Sequence, residues 1–178
     1  PPTLALGGLA IGITLALAIP IGVYSAVARG KFAAQVVLFI TFIGQAMPAF
    51  WLGLLLILVF SVHLKILPSF GYGSAAHYVL PAVTLSSFLL ARLARITRAE
   101  MIEILGQDYI RTSKAKGVPP RRVYLRHALR NSLIPIVTII GLDFGYMLGG
   151  AIVTETIFAW PGVGRELVTA VLQRDYPV

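Results

Sequence analysis

Two long stretches without charge constrain the fold of this chain more than any other feature. No Asp, Glu, Lys or Arg occurs from Pro1 to Ala28 or from Phe32 to Leu64. A helix that crosses the roughly 30 Å hydrocarbon core of a bilayer needs about 20 apolar residues, and both stretches are longer. Only 12% of the residues are charged, against about 25% in soluble domains. The sequence therefore predicts an all-α polytopic membrane protein and disfavours a soluble helical protein with a large core.

The apolar segments predict four membrane spans in one transmembrane domain, residues 1–178. The spans are placed at about residues 4–27, 32–60, 80–98 and 133–153. We expect one large loop, residues 99–131, on one side of the membrane and two segments, residues 61–79 and 154–178, on the other. The chain begins Pro1-Pro2 without Met, and we expect it to be a fragment of a longer protein.

Basic residues are concentrated in one block, from Arg92 to Arg130. The block holds ten of the fifteen Lys and Arg residues. Together with Arg29 and Lys31, the predicted topology places twelve basic residues on one side and three on the other. Lys/Arg-rich loops stay in the cytoplasm, so this side is predicted to be cytoplasmic. Because the charge lies beside membrane spans, it favours anionic lipid as a partner, and we expect no nucleic-acid binding.

The cytoplasmic loop is predicted to be a helix–Gly–helix elbow. Residues 100–116 favour a helix, and Gly117 suits a helix C-terminus. Pro119 and Pro120 follow, and Pro suits the first turn of a new helix, which we expect to run to Asn131. A compact elbow of this kind fits a groove on a partner protein.

Several segments, in order along the chain, resemble the inner-membrane permeases of peptide-type bacterial ABC importers, the dipeptide, oligopeptide and nickel permeases. These segments are MPAFWLGLLLI (Met47 to Ile57), GQDYIRTSKAKG (Gly106 to Gly117), RRVYLRHALRNSLIPIVTIIG (Arg121 to Gly141), TETIFAWPGVGR (Thr154 to Arg165) and RDYPV (Arg174 to Val178). The resemblance covers essentially the whole chain. It implies a type I ABC importer permease fold in which four of an expected six spans are present, in the bacterial inner membrane.

The general loop motif of importer permeases is only partly present. That motif is Glu-Ala-Ala, three residues, Gly, nine residues, Ile, one residue, Leu-Pro. Gly117 and Leu129 match it, whereas Arg111, Thr112 and Ser113 stand where Glu-Ala-Ala would be. The departure is typical of the peptide/nickel branch, and it removes the basis for carrying over contacts of the Glu found in other branches.

The resemblance also implies partners. A second permease subunit, two ATP-binding subunits and an extracytoplasmic substrate-binding protein would complete the importer. The chain has no Gly-x-x-x-x-Gly-Lys-Ser/Thr phosphate loop, so ATP and Mg²⁺ are expected on the partner ATPases. We expect neither a cofactor, a metal site nor an enzymatic activity in this chain.

Candidate functional residues fall into three groups. The elbow is expected to couple to the ATPases through Tyr109, Ile110, Arg111, Gly117, Pro119, Tyr124, His127 and Leu129. In the external segment, Trp160, Arg165 and Glu166 are candidates for docking the binding protein. Asp143 lies within the fourth predicted span, where charged residues usually face the bundle interior or a wet cavity. It is expected to face the translocation path or the sister permease, and an interhelical hydrogen bond is the alternative.

Other classes of membrane protein remain open at this point. A secondary transporter or channel would use an ionisable group within a span, and Asp143 is the clear candidate. An intramembrane serine protease would need a His within a span, whereas His63, His77 and His127 all fall in predicted loops. The cargo is not determined by the sequence, since peptides, nickel complexes and glutathione all pass through permeases of this type.

Overall fold

The computed structural model describes residues 2–173, apart from the side chain of Leu148. The RDYPV segment lies outside these residues. Three described helices are long and apolar enough to cross a membrane, and a fourth span results if one broken pair of helices counts as one.

The first two helices follow the uncharged stretches. Helix α1 covers Pro2–Val27 and α2 covers Phe32–Ala46. The second predicted span does not form one continuous helix. Helix α2 ends at Ala46, and Pro48, whose backbone is extended (φ −58°, ψ 137°), directly precedes helix α3, which covers Ala49–Leu56. Helix α3 continues in π-helical form over Ile57–His63. Proline lacks a backbone N–H and disfavours a helical conformation in the residue before it, which explains the break.

The remaining helices form the third span, the elbow and the fourth span. Helix α4 covers Ala75–Leu105, so it starts five residues before the predicted position and extends into the predicted loop. The next helices are α5 (Asp108–Ala115), α6 (Pro120–Arg122), α7 (Leu129–Ile157) and α8 (Val163–Gln173). A π-helical stretch, Val123–Ala128, joins α6 to α7. The second arm of the elbow is therefore continuous with the fourth span instead of ending near Asn131.

The described residues pack as two compact units. Unit I contains the chain up to Ile13, Ala46–Phe88, and the residues from Phe144 on; unit II contains Thr14–Gln45 and Leu89–Asp143. The core of unit I is built around Ile57, Leu80 and Phe158.

Unit II has two apolar clusters. One lies along the spans and consists of Ala18, Leu93, Ala94 and Ile136. The other lies under the elbow. Between these two clusters, α1 and α4 approach each other closely. A Cβ atom on Gly22 would lie 2.5 Å from the Cβ of Thr97 and 2.8 Å from the carbonyl oxygen of Ala94. Only glycine permits this spacing, which is how small residues bring membrane helices together.

Candidate functional site

The bend of the elbow is a complete helix-terminating motif centred on Gly117. Its φ of +76° lies in the left-handed region that favours glycine. The Gly117 N–H donates to the Lys114 carbonyl at 3.0 Å, and the Val118 N–H donates to the Ser113 carbonyl at 3.2 Å. This pair of bonds is the Schellman pattern that satisfies the last carbonyls of a helix. Pro119 then precedes Pro120, the first residue of α6.

A buried apolar cluster holds the two arms of the elbow together. Its members come from α1, the end of α4, α5 and the second arm: Ala26, Met101, Ile104, Ile110, Val123 and Ala128. Ile110 and Val123, one from each arm, are fully buried. Burying a side chain of this size stabilises the fold by about 1.5–3 kcal/mol. The elbow is therefore a packed unit and not a solvated loop.

A hydrogen bond also joins the two arms at the surface. The side-chain amide of Asn131 donates to the Tyr109 hydroxyl at 2.7 Å. Tyr109 remains partly exposed. A single bond of this kind contributes about 0.5–1.5 kcal/mol net. It gives the two arms a second link, in addition to the apolar cluster.

The structure separates the predicted coupling residues by accessibility. Arg111 and Pro119 are exposed, and Tyr124, His127 and Leu129 are half-buried. Ile110 has no exposed surface, so it cannot contact an ATPase directly; its burial gives it a role in holding the arms together.

Sequence reasoning missed Leu125, whose side chain is 47% exposed. Together with Tyr124 and Leu129 it lines an apolar groove of about 500 Å³ between the second arm and the α1 residues Val23 and Tyr24. The signal was available in the sequence, since Leu125 follows Tyr124 and lies four residues before Leu129, on the same side of a helix. An exposed apolar side chain beside a groove is a feature of protein-binding surfaces.

An ion pair joins two spans within unit II. The Asp143 carboxylate of α7 accepts a hydrogen bond from the guanidinium of Arg92 on α4. Asp143 is the fifteenth of the 29 residues of α7, and Arg92 is the eighteenth of the 31 residues of α4. The pair is therefore far from both ends of each helix. Arg92 therefore neutralises a buried carboxylate.

The turn in the segment predicted to be external differs most from the prediction. Trp160 is fully buried and packs edge-to-face on Tyr72 and Tyr78, with ring centroids 5.0 and 4.5 Å away. Its proposed place on a docking surface is wrong, because the indole fills the interior of unit I. Arg165 and Glu166 are exposed, as docking residues must be.

A buried carboxylate that the sequence did not single out orders this turn. Glu155 is fully buried, and its Oε2 accepts a hydrogen bond from the Arg165 N–H at 3.1 Å, in the first turn of α8. A Cβ atom on Gly162 would overlap the Glu155 carboxylate. The TETIFAWPGVGR segment is thus a folded turn around one acid, in which glycine is required for space.

The described part of the chain contains no cluster of three His, Asp or Glu side chains that could bind a metal ion. The two histidines of the predicted external loop, His63 and His77, form separate local hydrogen bonds. His63 bonds to the Leu58 carbonyl at 3.1 Å, and His77 bonds to the Ser74 hydroxyl at 2.8 Å.

Comparisons with known proteins bear on the whole chain. Residues 18–178 match the family described as binding-protein-dependent transport system inner membrane component. The chain is 50% identical over 157 residues to the glutathione transport system permease protein GsiC of Escherichia coli K12, covering 88% of the chain and 51% of that protein. The GsiC protein of Shigella dysenteriae gives the same values.

A second kind of relative is the dipeptide transport system permease protein DppB of Escherichia coli K12. It is 42% identical, over 99% of the chain and 61% of that protein. The chain thus spans about half to three-fifths of the length of the curated relatives it matches.

Proposed function

Because the chain belongs to the family of binding-protein-dependent transport system inner membrane components, we propose that it forms the membrane path of an ATP-driven importer. The cargo is a peptide or a related small solute, such as glutathione or a nickel complex. The similarity of the chain to permease proteins of a glutathione and a dipeptide transport system favours peptide-like cargo over other solutes.

The proposal assigns energy coupling to the elbow. The observation that supports it is the packed bend: a glycine in the left-handed region at Gly117 and a buried cluster that ties α5 and the second arm to the end of α4. A partner that moves the elbow would move α4 and α7 with it, since α4 is separated from α5 only by Gly106 and Gln107, and the second arm is continuous with α7. The contacts are assigned to Tyr109, Arg111, Tyr124, His127 and Leu129.

The other subunits follow from this assignment. Two ATP-binding subunits bind and hydrolyse ATP with Mg²⁺, and their closure is transmitted through the elbows. A second permease subunit completes the path, and an extracytoplasmic binding protein delivers cargo to the external face. On that face Arg165 and Glu166 are the docking candidates.

A secondary transporter or channel that uses Asp143 is the alternative function. An ion relay needs a carboxylate that is free to exchange its ion. Asp143 is buried and engaged by Arg92, which favours the importer over this alternative.

One experiment decides between the two functions. The full-length permease, its sister permease and the two ATPases are reconstituted in proteoliposomes with the binding protein, and uptake of a labelled dipeptide is measured. We expect uptake that requires ATP and stops when the catalytic residues of the ATPase partners are replaced. Uptake driven by a proton or sodium gradient without ATP would contradict the importer and support the alternative.

A further inference from the structure

Three arginines follow one another along α4 from its middle toward the elbow. They are Arg92, Arg95 and Arg98, at successive intervals of three residues. At 1.5 Å per residue the row extends about 9 Å along the helix axis. It begins near the middle of α4, a helix long and apolar enough to cross a membrane. An arginine within a span is rare and usually faces the bundle interior or a water-filled cavity and not lipid.

Arg92 is held in place but is not saturated. Its guanidinium donates to the Asp143 carboxylate, and the Arg92 side chain remains 39% exposed whereas that of Asp143 is 7% exposed. A guanidinium carries five N–H donors, and Asp143 is its one side-chain partner within residues 2–173. The acid therefore fixes the orientation of Arg92 and leaves donors of the guanidinium available to a ligand.

The next two arginines have no acidic partner among the described residues. The Arg95 guanidinium lies 5.8 Å from the centre of the Phe42 ring, a contact that orients it without using its donors. The Nε of Arg98 is buried and has no hydrogen-bond partner among the described residues. Both side chains line a cavity of about 450 Å³, together with Ala99, Ile102 and Glu103.

These observations point to one ligand chemistry. Guanidinium groups bind carboxylates through paired N–H···O bonds. We propose that Arg92, Arg95 and Arg98 form a carboxylate-binding row in the translocation path, and that Asp143 is the positioning residue for Arg92. The cargo is then a peptide-like solute with a free carboxylate. This inference rests on the proposed function, because it assumes that the spans enclose a path for cargo.

The row lowers the barrier that a carboxylate meets on entering a membrane path. An anion that leaves water loses its hydration, and this cost is offset only where paired donors replace the water. A cargo without a carboxylate gains nothing from the row. Removing an arginine is therefore expected to slow the transport of free-acid peptides and to leave the corresponding amides unaffected.

The test compares a dipeptide with its C-terminal amide. The complete importer is reconstituted in proteoliposomes with excess loaded binding protein, and the maximal uptake rate of each cargo is measured for the wild type and for Arg92→Gln. Any discrimination by the binding protein cancels when the acid-to-amide ratios of the two permeases are compared. We expect Arg92→Gln to lower this ratio about tenfold, the loss typical of a hydrogen bond to a charged group.

Three further variants make the result specific. Arg92→Lys, which keeps the charge but not the paired donors, is expected to lower the ratio by a smaller factor. Arg92→Gln combined with Asp143→Asn removes both charges of the ion pair, so that no buried carboxylate loses its partner, and this protects against misassembly; it is expected to show the same loss as Arg92→Gln. Arg29→Gln removes a positive charge from an exposed loop position and is expected to leave the ratio unchanged.

Each contrary outcome overturns the inference in a different way. An equal fall in acid and amide uptake would make Arg92 a structural partner of Asp143 only. A dependence of the ratio on anionic lipid in the vesicles, and not on the substitutions, would assign the row to lipid headgroups. If the wild type transports neither cargo with ATP, the proposed function itself fails; if it transports both and the ratio ignores Arg92, only the arginine row fails.

Discussion

The side-chain amide of Asn131 donates a 2.7 Å hydrogen bond to the hydroxyl of Tyr109, twenty-two residues earlier and on the other arm of the elbow. The bond links the two arms of the elbow at the surface, and Ile110 and Val123 belong to the buried cluster that links them inside. An element that transmits motion has to keep its shape under load. In the proposed importer, this bond would stiffen the elbow.

The Tyr109–Asn131 bond gives the first prediction. Tyr109→Phe removes the acceptor, and Asn131→Ala removes the donor. Each is expected to lower the amount of dipeptide transported per ATP hydrolysed about two- to fivefold, because a bond of this type contributes about 0.5–1 kcal/mol. The double variant should lose no more than either single variant, since both remove the same bond. Fully additive losses would show that the bond does not stiffen the elbow.

Gly117 is expected to tolerate one replacement and not another. Gly117→Val places a β-branched residue at a φ of +76°, which costs roughly 1–2 kcal/mol or more. Transport and substrate-stimulated ATP hydrolysis should both fall severalfold while the variant inserts into the membrane normally. Gly117→Asn is the matched control, because asparagine is the residue that best replaces glycine in this conformation. Full transport by Gly117→Val in an assembled complex would exclude the bend as the coupling element.

The elbow was predictable because its determinants are local. A glycine followed by Val-Pro-Pro terminates one helix and starts the next wherever it occurs, and the apolar stretches predict spans by length alone. The expected all-α permease fold is confirmed by the family match. These features depend on residues that are neighbours in sequence.

The contacts that the sequence did not predict join residues that are far apart in sequence. Trp160 is buried by Tyr72 and Tyr78, more than eighty residues earlier, and Arg92 meets an acid fifty-one residues later. Neither contact has a signature in the sequence around the residue. Glu155 was overlooked for the same reason, since its significance lies in the turn that folds around it. Sequence patterns predicted where helices begin and end better than which polar groups meet.

Membrane topology gives a prediction that does not depend on transport. The chain has no cysteine, so single cysteines can be labelled without background. Lys114→Cys, on the exposed surface of α5, should react with an impermeant maleimide only after the cells are permeabilised, because basic loops remain cytoplasmic. Ser74→Cys, at an exposed position in the segment predicted to be external, should react in intact cells. Labelling of Lys114→Cys from outside would reverse the orientation.

Arg165 is one of the two docking candidates that the structure leaves accessible, the other being Glu166. Its guanidinium donates to the Ala159 carbonyl at 2.9 Å, so the charge is held in a fixed position at the surface. Arg165→Glu should weaken binding of the binding protein and make the remaining affinity less sensitive to salt, as measured with the complete permease in nanodiscs. Lys65→Glu reverses an exposed charge in the other segment predicted to be external and serves as the control. Unchanged affinity for Arg165→Glu would remove this residue from the interface.

The last prediction separates two roles for Asp143. If Asp143 positions Arg92, Asp143→Asn keeps an acceptor for the guanidinium but leaves the arginine charge without a counterion. This should cost about 1–2 kcal/mol and lower the melting temperature of the purified complex, with the apparent affinity for cationic peptides unchanged. Adding Arg92→Gln should restore much of the stability, because neither position of the pair then carries a charge.

A direct contact between Asp143 and cargo predicts a different result. The affinity for peptides with an extra cationic group would fall in Asp143→Asn, whereas the affinity for neutral peptides would stay the same. The two measurements thus separate a carboxylate that binds cargo from one that holds an arginine in place. Because Asp143 is almost fully buried and Arg92 is not, we expect the second result.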